Sequence, residues 1–209
     1  MRSKNLNNLK SLLRKAAGEK DLARRGVKIA AVIAEALRKI GEDPVLVGGA
    51  AVEFYTDGNY ATKDIDMIAM GGPLLWKVME ELGFKRRGKD FINEVLEIYI
   101  EFPSATLNPG EKSDQIDVEG IPLKIISLED LIVDRLAAYK FWKSSIDGLN
   151  ALLLLELGKA DMQRLRERAG AKEIQDALDW VLKIYEEVFR KKLSKKEASK
   201  KLETWLQKR

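Results

Sequence analysis

Apolar and polar positions recur with a helical period in some stretches of this chain and a strand period in others, and the changes of period mark out its elements. Leu6, Leu9, Leu12 and Leu13 predict a helix over residues 5–17. A second apolar stripe runs from Leu22 to Ile40, with Asp21 as its cap and Gly41 as its stop. The pattern then shortens. Val45-Leu46-Val47 reads as a strand that halts at Gly48-Gly49, residues 50–55 as a small-residue helix, and Asp57-Gly58-Asn59 as a turn. Over residues 63–70 polar and apolar positions alternate before giving way to apolar ones, which completes a strand, Gly-Gly turn, helix, loop and strand.

Gly71-Gly72-Pro73 opens a helix over 74–82 that Gly83 ends, and 84–87 makes a short strand. The clearest alternation covers 94–102, ended by Pro103: Leu96, Ile98, Ile100 and Phe102 would share one face of a single strand, and Val95, Glu97, Tyr99 and Glu101 the other. A hairpin bends at Glu119-Gly120, and residues 123–126 form an apolar strand. Ser127-Leu128-Glu129-Asp130 reads as a capping box that starts a long helix. Its buried stripe would be Leu131, Ile132, Leu136, Ala137 and Phe141, leaving Arg135, Tyr139, Lys140 and Lys143 on other faces. From Leu149 onward the chain reads as helices, including one over 171–192 and a last one capped by Ser194. The expected fold is α/β (or α+β), a small mixed sheet flanked by helices, with a core over 1–126 that includes the N-terminal helices and a helical region over 127–209.

Composition narrows the chemistry. The chain has 209 residues with 37 basic and 33 acidic side chains, a net +4, too mild a surplus to require nucleic acid as a partner. The basic segment 190–209 has interspersed Glu197 and Glu203 and reads as a solvated amphipathic helix rather than a phosphate-binding surface. No long apolar run and no signal-peptide core follow Met1, so a soluble cytoplasmic protein without membrane contact is expected. Cysteine and histidine are both absent, which removes disulfides, thiolate or imidazole metal sites, cysteine nucleophiles and a histidine base. Abundant charge and only four Gln suggest a thermophilic source.

The candidate chemistry lies in residues 45–70. Asp64 and Asp66 stand two apart on a strand and project to one side, while Ile65 and Met67 face the core. Adjacent carboxylates repel, and a hard divalent cation relieves that repulsion; oxygen-only ligands favour Mg²⁺, Mn²⁺ or Ca²⁺. The plain alternative is a solvated strand face. Gly48 and Gly49 allow close approach to the backbone at a helix start whose N–H groups can receive phosphate. Together the two features suggest chemistry on a nucleoside triphosphate.

Gly48-Gly49, the helix, and Thr62-Lys63-Asp64-Ile65-Asp66 resemble the signature of the nucleotidyltransferase-fold superfamily. This version is most similar to prokaryotic abortive-infection toxin-like and uncharacterised nucleotidyltransferase-like proteins, over residues 44–155. The resemblance implies transfer of a nucleotidyl group from an NTP to RNA, a protein or a small molecule, with Mg²⁺ or Mn²⁺ as cofactor and an antitoxin as a partner. It implies a third metal-holding carboxylate on a neighbouring strand, for which Glu101 is the candidate and Glu97, on the same face, the alternative. Gly48, Gly49 and Lys63 would receive phosphates. Ser127-Leu128-Glu129-Asp130-Leu131-Ile132 with Arg135 and Asp147 resembles a second block of the toxin-like family, in which Lys stands where this chain has Arg135. The resemblance gives Arg135 to the triphosphate and Asp147 to the metal site or to positioning the basic residue. An Arg still holds phosphate but does not carry protons; an interhelix ion pair is the structural alternative. A catalytically degenerate protein- or RNA-binding module, and a carboxylate–metal phosphohydrolase, are the rival functions.

Overall fold

The computed structural model describes residues 3–60, 62–191 and 194–208. Two compact units make up the chain, Met1–Ile126 and Ser127–Arg209. In the first, α1 (Ser3–Ala17) and α2 (Leu22–Arg38) precede the sheet. The Asp21 carboxylate caps α2 by accepting from the Arg24 N–H. Alternating small and branched residues bury Ile29, Ala30, Ile33, Ala34 and Leu37 of α2 completely.

The strands follow. β1 (Val45–Val47) runs straight into α3 (Gly48–Tyr55), and β2 (Asp64–Ile68) returns beside β1. After α4 (Pro73–Glu81) come β3 (Lys85–Arg87), β4 (Asp90–Asn93) and β5 (Ile98–Glu101), and the β6 (Ser113–Val118) and β7 (Ile121–Ile126) hairpin ends the unit. Seven strands form one sheet in the order β3-β4-β5-β2-β1-β7-β6. β1 is parallel to β7 and β2 to β5, while the other neighbours are antiparallel. The fold is therefore α/β, a mixed sheet flanked by helices. Ile125, Leu46 and Met67 lie in one register row across β7, β1 and β2 and are wholly buried. Ile65, Ile100 and Phe91 form a second buried row across β2, β5 and β4. These rows fix which side chains face the core and therefore which must face away from it.

Three local expectations are corrected. The alternation over 94–102 does not form one strand: β4 ends at Asn93, residues 94–97 turn, and β5 begins at Ile98. Asn93 Oδ1 accepts from the Leu96 N–H at 3.1 Å, and Arg25 Nη2 donates to the Leu96 and Glu97 carbonyls at 2.9 and 3.1 Å. With those groups satisfied, the turn competes with a ladder. Val95 is left 91% exposed and Glu97 takes a φ of 51°. Gly48 and Gly49 do not form a separate turn either, because α3 starts at Gly48. The Glu119-Gly120 bend is present, both residues having positive φ (51° and 82°), as such two-residue hairpins require.

The second unit is helical: α5 (Leu128–Phe141), α6 (Ser145–Leu155), α7 (Met162–Ala171), α8 (Gln175–Lys191) and α9 (Lys195–Gln207). Ser127 caps α5 by accepting from the Asp130 N–H, and its hydroxyl donates to Asp130 Oδ2 at 2.8 Å. The Asp130 side chain is fully shielded and pairs with Arg164 and with Arg168 Nε, the latter at 2.7 Å. On α5 the third correction concerns the stripe. Phe141 is 59% exposed, whereas Tyr139 is buried, stacked on Trp205 and donating to the Leu202 carbonyl at 2.8 Å. Partners on α9 for both the ring and the hydroxyl outweigh the periodicity of α5 alone. Ser194 and Glu197 form a full capping box at α9. Lys192, Leu193 and Arg209 lie outside the described residues, so the expected helix end at 192 and part of the basic segment fall there.

Candidate active site

Period-two geometry places Asp64 and Asp66 on the face of β2 opposite Ile65 and Met67, Asp64 exposed and Asp66 half-buried. On the parallel neighbour β5, Tyr99 is in register with Asp64 and Glu101 with Asp66. β4 extends both rows, with Asp90 opposite Glu101 and Ile92 opposite Tyr99. Asp66, Glu101 and Asp90 thus stand in one transverse row on three adjacent strands, and Asp64 and Tyr99 in the next. Asp64, Asp90, Ile92, Tyr99, Ile100 and Glu101 line a shallow cleft of about 140 Å³. Asp90 and its neighbour Lys89 are additions that sequence reasoning missed. Their signal was the Gly88 bend before a four-residue strand too short to show a period.

Gly48 brings α3 against this row. Its φ is 65°, and a Cβ there would lie 2.0 Å from Asp66 Oδ2, so only a bare Cα accommodates the carboxylate. Gly49 has a different neighbour. A Cβ on it would meet Thr62 Oγ1 at 3.0 Å, and both glycines are buried. Val47 occupies the N-cap of α3 without a side-chain cap. Glu53 of α3 is buried, and its carboxylate accepts from the Thr62 backbone N–H; burial pushes its carboxyl above the ordinary value. That bond ties α3 to the loop leading into Asp64, beside which Lys63 is exposed.

Lys89 supplies the local positive charge. Its ammonium donates to Glu101 Oε1, and this bond, with the charges of Glu101, Asp90 and Asp66, holds its pKa above the ordinary lysine value. Glu97 stands in the 94–97 turn, away from the Glu101 row. In the second unit, Arg135 Nη1 of α5 donates to Asp147 Oδ1 of α6 at 2.7 Å, an interhelix ion pair in which each side chain is 18% exposed, and Arg135 also pairs with Asp134.

The donor set suits a hard divalent ion. Among the described residues no three acidic side chains are grouped to hold one metal by themselves. Mg²⁺ rarely needs such a cage: it binds through one or two carboxylates, with water and substrate phosphates completing its shell. Asp64 and Asp66, sharing a face with oxygen donors only, fit that mode. No helix among the described residues is long and apolar enough to cross a membrane.

Residues 27–194 match the model of a family described as nucleotidyltransferase of unknown function (DUF6036), and the chain belongs to that family. A solved relative in fold is an antigenic nucleotidyltransferase-like protein from Paracoccidioides brasiliensis, at 16% identity and a TM-score of 0.54 over 79% of this chain and 93% of that one. The antibiotic-resistance factor ANT(2'')-Ia aligns at 16% identity and a TM-score of 0.48, over 70% of this chain and 91% of its own. No curated protein matches the chain in sequence.

Proposed function

We propose that the chain moves a nucleotidyl group from an NTP to an acceptor hydroxyl, with Asp64 and Asp66 as the metal-holding carboxylates and Glu101 as the third. The observation that carries this reading is the register of Asp66 with Glu101, two residues from Asp64, beneath the bare Cα of Gly48. A divalent ion bound there, Mg²⁺ or Mn²⁺, would neutralise triphosphate charge and make the acceptor hydroxyl more acidic. The hydroxyl oxygen bonds to the α-phosphorus, the bond from that phosphorus to the bridging oxygen breaks, and pyrophosphate leaves. Lacking histidine, the chain would pass the acceptor's proton to a carboxylate or rely on the metal-lowered acidity of the hydroxyl itself. Lys63 and the start of α3 at Gly48 and Gly49 contribute positive potential for the phosphates. The resemblance alone assigns Arg135 to the triphosphate, with its ion-pair partner Asp147 positioning the guanidinium.

Incubation with each α-labelled NTP and Mg²⁺ or Mn²⁺, against RNA, protein and small-molecule acceptors, tests this. Label attached to an acceptor, and lost in Asp66→Asn, is the expected result; free labelled nucleotide without attachment would indicate a phosphohydrolase. A second reading, a degenerate fold that binds protein or RNA, is favoured by Lys89 neutralising Glu101. It requires titrations showing no metal-dependent triphosphate uptake. The toxin-like role, with an antitoxin partner, follows from the resemblance carried by Ser127 to Asp147; growth arrest on expression, abolished by Asp66→Asn, is its test.

A further inference from the structure

The hairpin joining β3 to β4 carries four cations, and only one of them turns to the acidic row. Lys85 and Arg87 both pair with Glu94, at 2.9 Å each. Arg86 donates to the Gly88 carbonyl at 2.9 Å and lies 3.7 Å over the Trp76 ring. Lys89 instead reaches Glu101, the residue flanked in register by Asp66 on one side and Asp90 on the other. It follows Gly88, whose φ of 64° bends the hairpin tip, so its stem springs from the edge of the sheet while its ammonium meets the acidic face. The Lys89 side chain is 69% exposed and that of Glu101 26%. Exposed pairs of this kind are weak, so the contact can be exchanged for a stronger one at little cost.

We infer that Lys89 is a tethered counter-ion for the Asp66, Glu101 and Asp90 row, which a divalent cation displaces from Glu101 when it binds. This inference rests on the carboxylate–metal reading above. Lys89 lowers the repulsion among three in-register carboxylates when no metal is bound. Linkage makes the effect reciprocal: whatever Lys89 subtracts from metal affinity, the metal subtracts from the hold of Glu101 on Lys89. The released ammonium then stands at the rim of the cleft, available to an anionic substrate.

The test is Mn²⁺ titration of the full chain, read by the electron paramagnetic resonance signal of free Mn²⁺, so no catalytic turnover is needed. Lys89→Gln is expected to bind Mn²⁺ about fivefold tighter than wild type, Lys89→Arg about equally, and Lys85→Gln within about twofold of wild type. Lys85→Gln removes the same charge from the same hairpin but pairs elsewhere, so it isolates position from bulk electrostatics. Unchanged or weaker binding by Lys89→Gln overturns the inference, as does an equal gain from Lys85→Gln. Uptake that depends on Asp66 but ignores Lys89 sinks this inference alone. If wild type and Asp66→Asn both take up no Mn²⁺, the carboxylate–metal reading falls with it.

Discussion

Gly48 shows how much one missing side chain can decide. At that position a methyl group would lie 2.0 Å from Asp66 Oδ2, and the backbone is held at a φ of 65°. Gly48→Ala is expected to cost roughly 1–2 kcal/mol of stability through the backbone alone. It should also push Asp66 out of its row and lower transfer about a hundredfold; melting and single-turnover assays would separate the two effects. Stability reduced with activity intact would mean that Asp66 is not the group the reaction needs. Gly148 is a purely structural counterpart. Its missing Cβ would stand 2.7 Å from Tyr139 Cδ2, so Gly148→Ala is expected to overpack α5 against α6 by about 1–3 kcal/mol, measured by denaturant titration.

Among the elements, buried charge and paired charge behave differently. Asp130 is shielded and bound by Ser127, Arg164 and Arg168, tying the start of α5 to α7. Asp130→Ala leaves two guanidinium groups short of their anion and is expected to destabilise the fold by about 3–5 kcal/mol, read from the denaturation midpoint. Glu19, between α1 and α2, is a pH-dependent contact: its hydrogen bond from Lys28, foremost, lowers its pKa from 4.5 to about 2. A carboxylate with a depressed folded pKa stabilises the fold above its unfolded pKa and loses that contribution as pH falls through its folded one. Wild type should therefore lose more of its melting temperature between about pH 4.5 and 2 than Glu19→Gln does. Elements also show where sequence reading stops. Asp64 and Asp66 could be assigned to one face because a period of two settles it within the strand. β4 could not be found, because four residues carry no reliable period and the turn beside it is held by Arg25, far away in sequence. The misplaced strand over 94–102 and the missed Asp90 have that one cause.

At the scale of the molecule, helical spacing and turn signals made the mixed sheet and its flanking helices legible, because each was encoded locally. The partner of Tyr139 was not, since a residue on α9 decides whether that ring is buried. Family membership and physical integrity also have different limits. The family match begins at residue 27, yet α1, wholly before it, buries Leu9 and Leu13 almost completely. Replacing both leucines by Ala is expected to cost about 4 kcal/mol or more, although neither lies within the matched region. A shift of the urea midpoint is the measurement, and a negligible shift would show α1 to be dispensable.

The closeness of Gly48 and Asp66 has a bearing on descent. Two positions eighteen apart in the chain have in effect become one heritable character, since a carboxylate at the second forbids any side chain at the first. A lineage that abandons the acid frees the glycine from its neighbour, leaving only the turn of the backbone to retain it. Kin without an acidic residue at the second position should therefore tolerate a side chain at the first more often, and an aspartate kept beside a substituted glycine should be rare.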